Sequence, residues 1–371
     1  MTPAALPDAP GVLPDSAIRA LAAAGSLRTA TPLAPDQVQP ASLDLRLGHV
    51  AHRVRASFLA GKGRRVADRL AELGMHAIPL TEAGAVLERG CVYVVPLVES
   101  LDLPAGIAAV ANAKSSTGRL DLLVRLITDD GREFDRVPPG YAGPLYAEIC
   151  PRSFSVLVRP GQRLNQLRFR QGQAVLDDAA LAALHARVQL VTGGPAVISD
   201  GLAFSVDLSG GADPRGIVGW RAKPHAGVID LDRIGGHDPA EFWEALPAGR
   251  DRLILDPGAF YILVSREAVH IPPDCAAEMA PYLAMVGEFR VHYAGFFDPG
   301  FGHGPAGGAG ARGVLEVRCH EAPFLLEHGQ IVGRLVYERM AAPPDRLYGA
   351  GLASNYQGQG LKLSKHFRTP G

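Results

Sequence analysis

Six consecutive residues, Lys114-Ser115-Ser116-Thr117-Gly118-Arg119, put two cations, adjacent hydroxyls and a glycine within reach of one anion. Phosphate oxygens require this mix: charge-assisted donors at both ends, hydroxyl donors between, and a small residue for close approach. The same residues would also make an ordinary polar strand-to-helix turn, and composition alone weighs the two equally. Two carboxylates stand out next, because Glu148 and Glu316 each interrupt an apolar run, LYAEIC and GVLEVRC. A carboxylate there either faces outward on an alternating strand or inward as a functional base. The tail from Tyr348 to Gly360 is rich in Gly, Tyr and Gln. It reads as a flexible terminus or as a lid folding over a ligand.

The elements that must position these residues are mostly strands. Runs 91–97, 122–127, 154–158, 164–169, 260–265, 289–293, 314–318 and 331–337 have strand character. Helices are few. One follows Asp15 over 16–24 and stops at Gly25, and another over 66–73 aligns Val66, Leu70 and Leu73 before Gly74. A third over 178–188 aligns Leu181, Leu184 and Val188. Asp238-Pro239-Ala240-Glu241 reads as an N-cap, a first-turn proline and a box-closing glutamate.

The chain also repeats itself. Gly90-Cys91-Val92-Tyr93 matches Gly258-Ala259-Phe260-Tyr261 at an offset of 168. Glu99 and Glu267, Pro104 and Pro272, Glu148 and Glu316, and Gly161-Gln162 and Gly329-Gln330 keep that offset. Ser42-Leu43-Asp44-Leu45 echoes Ser205-Val206-Asp207-Leu208 at 163, and Pro139-Gly140 echoes Pro299-Gly300 at 160. The Gly-rich stretch 302–310 supplies the second copy's extra residues. Two copies of one β domain follow.

Composition sets the outer bounds. A chain of 371 residues suits two domains, and 47% apolar content excludes bulk disorder. With 37 basic and 38 acidic residues, net charge gives no reason to expect nucleic acid or a membrane surface. Cys91, Cys150, Cys275 and Cys319 are scattered without a CxxC pair, which excludes a zinc ribbon and disfavours a disulfide framework. No secretory signal and no membrane-length apolar run is present, so a cytoplasmic location is expected.

On these residues the chain resembles the dCTP deaminase family, which shares the dUTPase β fold. The carriers are Gln39-Pro40-Ala41-Ser42-Leu43-Asp44-Leu45-Arg46-Leu47-Gly48, the KSSTGRL run at 114–120 and Pro160-Gly161-Gln162-Arg163-Leu164-Asn165-Gln166-Leu167. In the second copy they are Ala294-Gly295-Phe296-Phe297-Asp298-Pro299-Gly300-Phe301 and the SNYQGQ tail. The resemblance implies a mainly β protein, a tandem duplication of a dUTPase-like distorted β-barrel or jelly-roll domain with a few short helices. The expected division is repeat one over 1–175, a helical linker over 176–200, repeat two over 201–340 and a C-terminal lid over 341–371. Ala226-Gly227-Val228-Ile229-Asp230 resembles a dUTPase base-pocket motif, but it falls too early in the second copy to serve as one.

The implied reaction is deamination of dCTP to dUTP and ammonia, with Mg2+ accompanying the triphosphate. A glutamate would take the proton of the attacking water and later protonate N3 and the departing amine. Glu148 and Glu316 compete for that role. Ser115 would hold the water, with Arg119 placing positive charge near it, and Lys114 and Ser116 would bind phosphates. Thr128, Ala294 and Asp298 would line base pockets, Gln359 would hydrogen-bond the base, and Tyr356 would close the lid. The HxE…PCxxC signature of zinc deaminases is absent, so a zinc-free reaction is expected. A homo-oligomer is implied, with dTTP a candidate inhibitor.

The departures divide between the copies. The first has Thr128 where the family has Ala and Pro138 where it has Asp; the second keeps Ala294 and Asp298 but lacks the KSS…R motif; in the tail, Asn355 stands for an expected Lys. A composite site is therefore expected, with phosphates and water held by repeat one, and the cytosine and the base Glu316 by repeat two. The alternative is repeat one alone, acting through Glu148. Rival functions are a dUTPase, a bifunctional enzyme taking dCTP to dUMP, and a non-catalytic nucleotide-binding regulator.

Overall fold

Apolar runs punctuated by Gly, Pro and Asp become antiparallel strands in the computed structural model, which describes residues 6–192, 194–249, 251–281, 289–292, 295–304, 310–349 and 360–369. The chain divides into two compact units. One comprises Met1–Ala174, Gly227–Ile234 and Met340–Asp345, and the other Val175–Ala226, Gly235–Arg339 and Arg346–Gly371. No helix among the described residues is long and apolar enough to cross a membrane.

The first unit has two main sheets. One runs in the order Arg136–Val137, Ile107–Ala113, Arg163–Gln171, Ser42–Arg46, Val38–Gln39. The other runs Leu122–Thr128, Ala142–Pro151, Val92–Asp102, Val50–Val54, Gly74–Pro79, with Leu27–Thr29 also on Val92–Asp102. Inward residues such as Leu43, Leu45, Leu101, Ile107, Leu126, Leu145, Leu167 and Phe169 form one buried cluster, joined by Ile18 and Leu21 of the Asp15–Ala23 helix. Period-two alternation is what brings them to one side. Asp15 lies inside the first helical turn rather than capping it, and accepts from Arg19 Nη1 and Asp345 N. The Val66–Leu73 helix matches expectation, with Val66 buried and Leu70 and Leu73 packed on a smaller cluster around Phe58 and Ile127.

A third, small sheet orders Ile229–Asp230, Val156–Val158, Ala85–Leu87. Ile229–Asp230, within the run that resembles a base-pocket motif, therefore serves as a strand of the first unit. Arg159 fixes the segment by ion pairs to Asp230 (2.6 Å) and Asp232 (3.0 Å).

The second unit repeats this strand order, without a counterpart of Val38–Gln39 among the described residues. Phe289–His292, Ala311–Cys319, Phe260–Val269, Ile217–Ala222 and Trp243–Pro247 form one sheet, with Val191–Thr192 on Phe260–Val269. Phe296–Phe297, Cys275–Pro281, Ile331–Arg339 and Leu202–Ser205 form the other, and Arg252–Leu255 pairs Phe324–Glu327. The Pro139-Gly140 echo has a structural counterpart: Tyr141 O accepts from Leu103 N and Phe301 O accepts from Ile271 N, both at 2.9 Å. The Ser42 to Leu45 echo does not. Leu47 bridges Leu97 and Val206 bridges Ser265, so Leu47 is matched by Val206 and the sequence likeness is four residues out of step.

Residues 176–200, expected as a linker, belong to the second unit. Its Asp178–Arg187 helix, capped by Asp177 accepting from Ala180 N at 2.8 Å, buries Leu181 and Leu184 in that unit's core. Asp238 caps Pro239–Phe242 as expected, but Glu241 gives its N–H to Asp238 O and closes no box. The 341–371 stretch is also divided, since 340–345 joins the first unit and Phe367 packs in the second.

Candidate active site

The Ile107–Ala113 strand ends at Lys114, whose N–H donates to Leu164 O at 2.9 Å. One helical turn, Ser115–Gly118, follows, with the N–H groups of Thr117 and Gly118 both donating to Lys114 O. Asp121, at a left-handed φ of 54°, redirects the chain into Leu122–Thr128. Ser116, Thr117 and Arg119 are buried, while Lys114 and Ser115 are half-buried. The polar strand-to-helix turn and the candidate phosphate loop are thus the same object.

Its charge is already partly compensated. The Lys114 ammonium pairs with Asp44 Oδ2 on the Ser42–Arg46 strand. Arg163 lies 3.0 Å from Asp36 and 3.9 Å from Asp44, and its hydrogen bond holds the Asp36 carboxyl below the usual carboxylate range. Beside them, Ser42 Oγ, Asp44 Oδ1 and both amide atoms of Asn165 are buried without a hydrogen-bond partner among the described residues. Buried polar groups are ordinarily satisfied, so this concentration marks a place suited to a polar ligand. Asp36, Asp44, Asn165 and Arg163 were not singled out from sequence as site residues. The signal was present in the 39–48 and 160–167 runs, but their strands meet only on folding.

Thr128 and Glu148 lie in the same unit, on neighbouring strands. Thr128 is buried with its Oγ1 unpartnered among the described residues. Glu148, 1% exposed, stands between Arg125 and Val94 in register. Arg125 Nε donates to Glu148 Oε1 at 3.0 Å, and Nη2 donates to the same oxygen.

In the second unit Glu316 is buried, in register with His292 and Ile262. Asp298 is buried in the turn after Phe296–Phe297. Phe301, which follows it, packs edge-on against Phe297 at 5.1 Å and beside Tyr348 at 5.6 Å. Tyr348 N donates to Pro299 O at 2.8 Å. Gly300, at φ 96°, permits this approach, because a Cβ there would meet Leu347 Cβ at 2.9 Å and Tyr348 N at 3.0 Å. The tail therefore begins against the turn that carries Asp298. Ala294, Tyr356 and Gln359 lie outside the described residues.

Among the described residues no group of three His, Cys, Asp or Glu side chains is arranged to hold a metal ion. All four cysteines are free thiols. What the geometry offers is a turn with buried hydroxyls and an arginine, and two buried carboxylates on different strand pairs.

Comparison with known proteins agrees with these features. The N-terminal-domain model of 2'-deoxycytidine 5'-triphosphate deaminase matches residues 9–173, and the C-terminal-domain model matches residues 177–367. The crystal structure of 2'-deoxycytidine 5'-triphosphate deaminase from Agrobacterium tumefaciens is similar with a TM-score of 0.86 and 56% identity, covering 91% of this chain and 100% of that one. A dUMP-forming dCTP deaminase of Beutenbergia cavernae is 33% identical over 114 residues, 29% of this chain and 55% of the relative. A dCTP deaminase of Natronomonas pharaonis is 31% identical over 118 residues, 29% of this chain and 53% of the relative. The chain spans about half the length of these curated relatives.

Proposed function

Because the chain belongs to the 2'-deoxycytidine 5'-triphosphate deaminase family, we propose that it converts dCTP and water to dUTP and ammonia. The observation that carries this reading is the buried turn Lys114 to Arg119, with the unsatisfied polar atoms beside it. Lys114 and Ser116 bind the triphosphate, exchanging part of the Lys114–Asp44 pair for phosphate oxygens. Mg2+ travels with the triphosphate as part of the substrate. Ser115 orients the attacking water, and the Arg119 guanidinium favours its hydroxide-like form.

Glu316 takes a proton from water as its oxygen bonds to C4 of cytosine and passes it to N3, then takes the proton of the new C4 hydroxyl and passes it to the amine, so that ammonia departs and a C4 carbonyl remains. Asp298, Ala294 and Gln359 hold the base, and Tyr356 closes the tail over it. Supporting this assignment, Asp298 and Glu316 lie in the unit whose tail begins at the Asp298 turn. The parallel strand orders further support a tandem duplication of a dUTPase-like barrel, with the second copy keeping the base pocket and the first the phosphate turn. A cytoplasmic homo-oligomer that dTTP inhibits completes the proposal.

Ammonia release measured across dCTP, dCMP and CTP, with the nucleotide product separated chromatographically, tests the reading. Release from dCTP with dUTP accumulating is expected, and its absence would overturn the proposal. Recovery of dUMP and pyrophosphate would instead establish the bifunctional reading, which the dUMP-forming names of several relatives favour. Activity retained after exhaustive zinc chelation is expected; loss restored by stoichiometric zinc would refute the zinc-free route.

A further inference from the structure

We infer that the first unit's carboxylate, Glu148, is a structural anion fixed by Arg125, so that the chain carries one base and turns over one dCTP per chain. This rests on the deaminase reading and deepens it. Glu148 and Glu316 occupy equivalent places: each lies on the strand paired to the unit's longest one, opposite Val94 and Ile262, which are themselves 168 residues apart. Their other neighbours differ. Register puts Arg125 beside Glu148 and His292 beside Glu316.

Arg125 is held on three sides. Nε and Nη2 both donate to Glu148 Oε1, Nη2 also donates to Ser57 Oγ at 2.9 Å, and the guanidinium lies 3.6 Å over the Phe134 ring. A planar guanidinium fixed in this way does not give up a proton and has no acceptor atom. It occupies the lone pairs of Oε1 that proton transfer would use. Glu148 Oε2 is shut off from solvent and meets no donor among the described residues. Deamination also needs the same carboxyl to carry a proton in turn, and a protonated Glu148 would leave a clamped Arg125 charge without its counter-ion. Arg125 thus converts a would-be base into a strand-to-strand tie, and the neighbouring Thr128 and Pro138 fit a pocket released from holding cytosine.

The experiment compares ammonia release by wild type, Glu148→Gln, Glu316→Gln and the double variant Arg125→Leu/Glu148→Leu. The double variant removes both charges, so no arginine is left in the sheet without its counter-ion. Expected are turnover within about threefold of wild type for the Glu148 variants and a loss of at least about 100-fold for Glu316→Gln. Calorimetric titration of Glu316→Gln with dCTP should give one site per chain. Loss of turnover in a folded Glu148→Gln or double variant, or two dCTP sites per chain, would overturn the inference. A wild type that releases no ammonia from dCTP would overturn the deaminase reading itself, which keeps the two failures apart.

Discussion

Arg46 and Ser205 hold the same place in two equivalent sheets: the backbone N–H of each donates a 2.8 Å hydrogen bond to a carboxylate, Glu99 in the first unit and Glu267 in the second. The two carboxylates differ in what else they hold. Glu99, fully buried, also accepts from Gln37 Nε2 at 2.8 Å and Arg46 Nε at 2.7 Å, and Arg46 in turn donates to Thr29 Oγ1, Thr31 O and Pro32 O. Among the described residues Glu267 adds only Ser205 Oγ at 2.6 Å. One site is a charged network and the other a hydroxyl clasp.

Removing the charge should therefore cost the two units unequally. Glu99→Gln leaves a nearly buried Arg46 without its counter-ion, an effect of about 3 kcal/mol. Glu267→Gln weakens two hydrogen bonds at a half-buried position, about 1 kcal/mol. Denaturant midpoints followed by circular dichroism measure the difference, and equal losses would contradict the assignment.

The strands and the likeness of the two units were legible in the sequence because apolar alternation and recurring Gly-x-x-Tyr and Gly-Gln turns occur in both. The register of the first strand pair was not. The echo of Ser42 to Leu45 in Ser205 to Leu208 compares side chains, whereas the ladder is fixed by backbone bonds that place Ser205 opposite Ile331 and Arg46 opposite Arg163. The candidate phosphate turn was visible as a motif, but its neutralisation by Asp44 was not, because Lys114 and Asp44 meet through strands far apart in sequence. The Arg125–Glu148 pair was hidden for the same reason.

The tail needs a sharper dissection than removal of residues 348–371. Phe367 is buried and stacks edge-on against Phe242 at 5.5 Å, Trp243 at 5.9 Å and His237 at 6.2 Å, and Arg368 N donates to His237 O. Truncation would strip this cluster and unsettle the second unit, so it cannot separate a loss of turnover from a loss of stability. Phe367→Ala should cost about 3 kcal/mol of stability. Gln359→Ala should leave the thermal midpoint unchanged and lower kcat/KM for dCTP by about tenfold, the loss of one hydrogen bond to substrate. Normal kcat/KM in Gln359→Ala would refute the base-contact role.

Acid should loosen one loop of the second unit selectively. Asp213 Oδ1 accepts from Arg215 N at 2.8 Å and Nε at 2.9 Å, and Oδ2 accepts from Nη2 at 2.7 Å. The Arg215 side-chain hydrogen bonds pull the Asp213 carboxyl below its ordinary 3.8, against the opposing effect of burial. A carboxyl whose folded pKa is depressed stabilises fully above its unfolded value, and the contribution fades as pH falls through the folded one. The stability difference between wild type and Asp213→Asn should thus be steady from pH 7 to about 5 and shrink below about 4. A difference that grew on acidification would reverse the sign and sink the argument.

That loop also seats the tail just past Gln359. A Cβ built on Gly360 would lie 2.7 Å from Ala212 O, closer than side chains come to a carbonyl oxygen, so the backbone approach depends on glycine. Downstream, Gly235 N donates to Lys365 O and His237 N donates to His366 O, which anchor the chain beyond this contact. Gly360→Ala therefore leaves the anchor in place and moves the backbone at the residue next to Gln359. If Gln359 contacts the cytosine, a displacement of this kind should lower kcat/KM for dCTP by roughly tenfold or more, since misplacing a positioning group by an ångström costs heavily in rate. The Phe367 cluster is untouched, so the thermal midpoint should move little. Steady-state ammonia release and thermal unfolding on the same preparation separate the two effects. A variant that melts early and loses rate in proportion would make Gly360 a folding residue, and one with normal rate would detach Gln359 from the site.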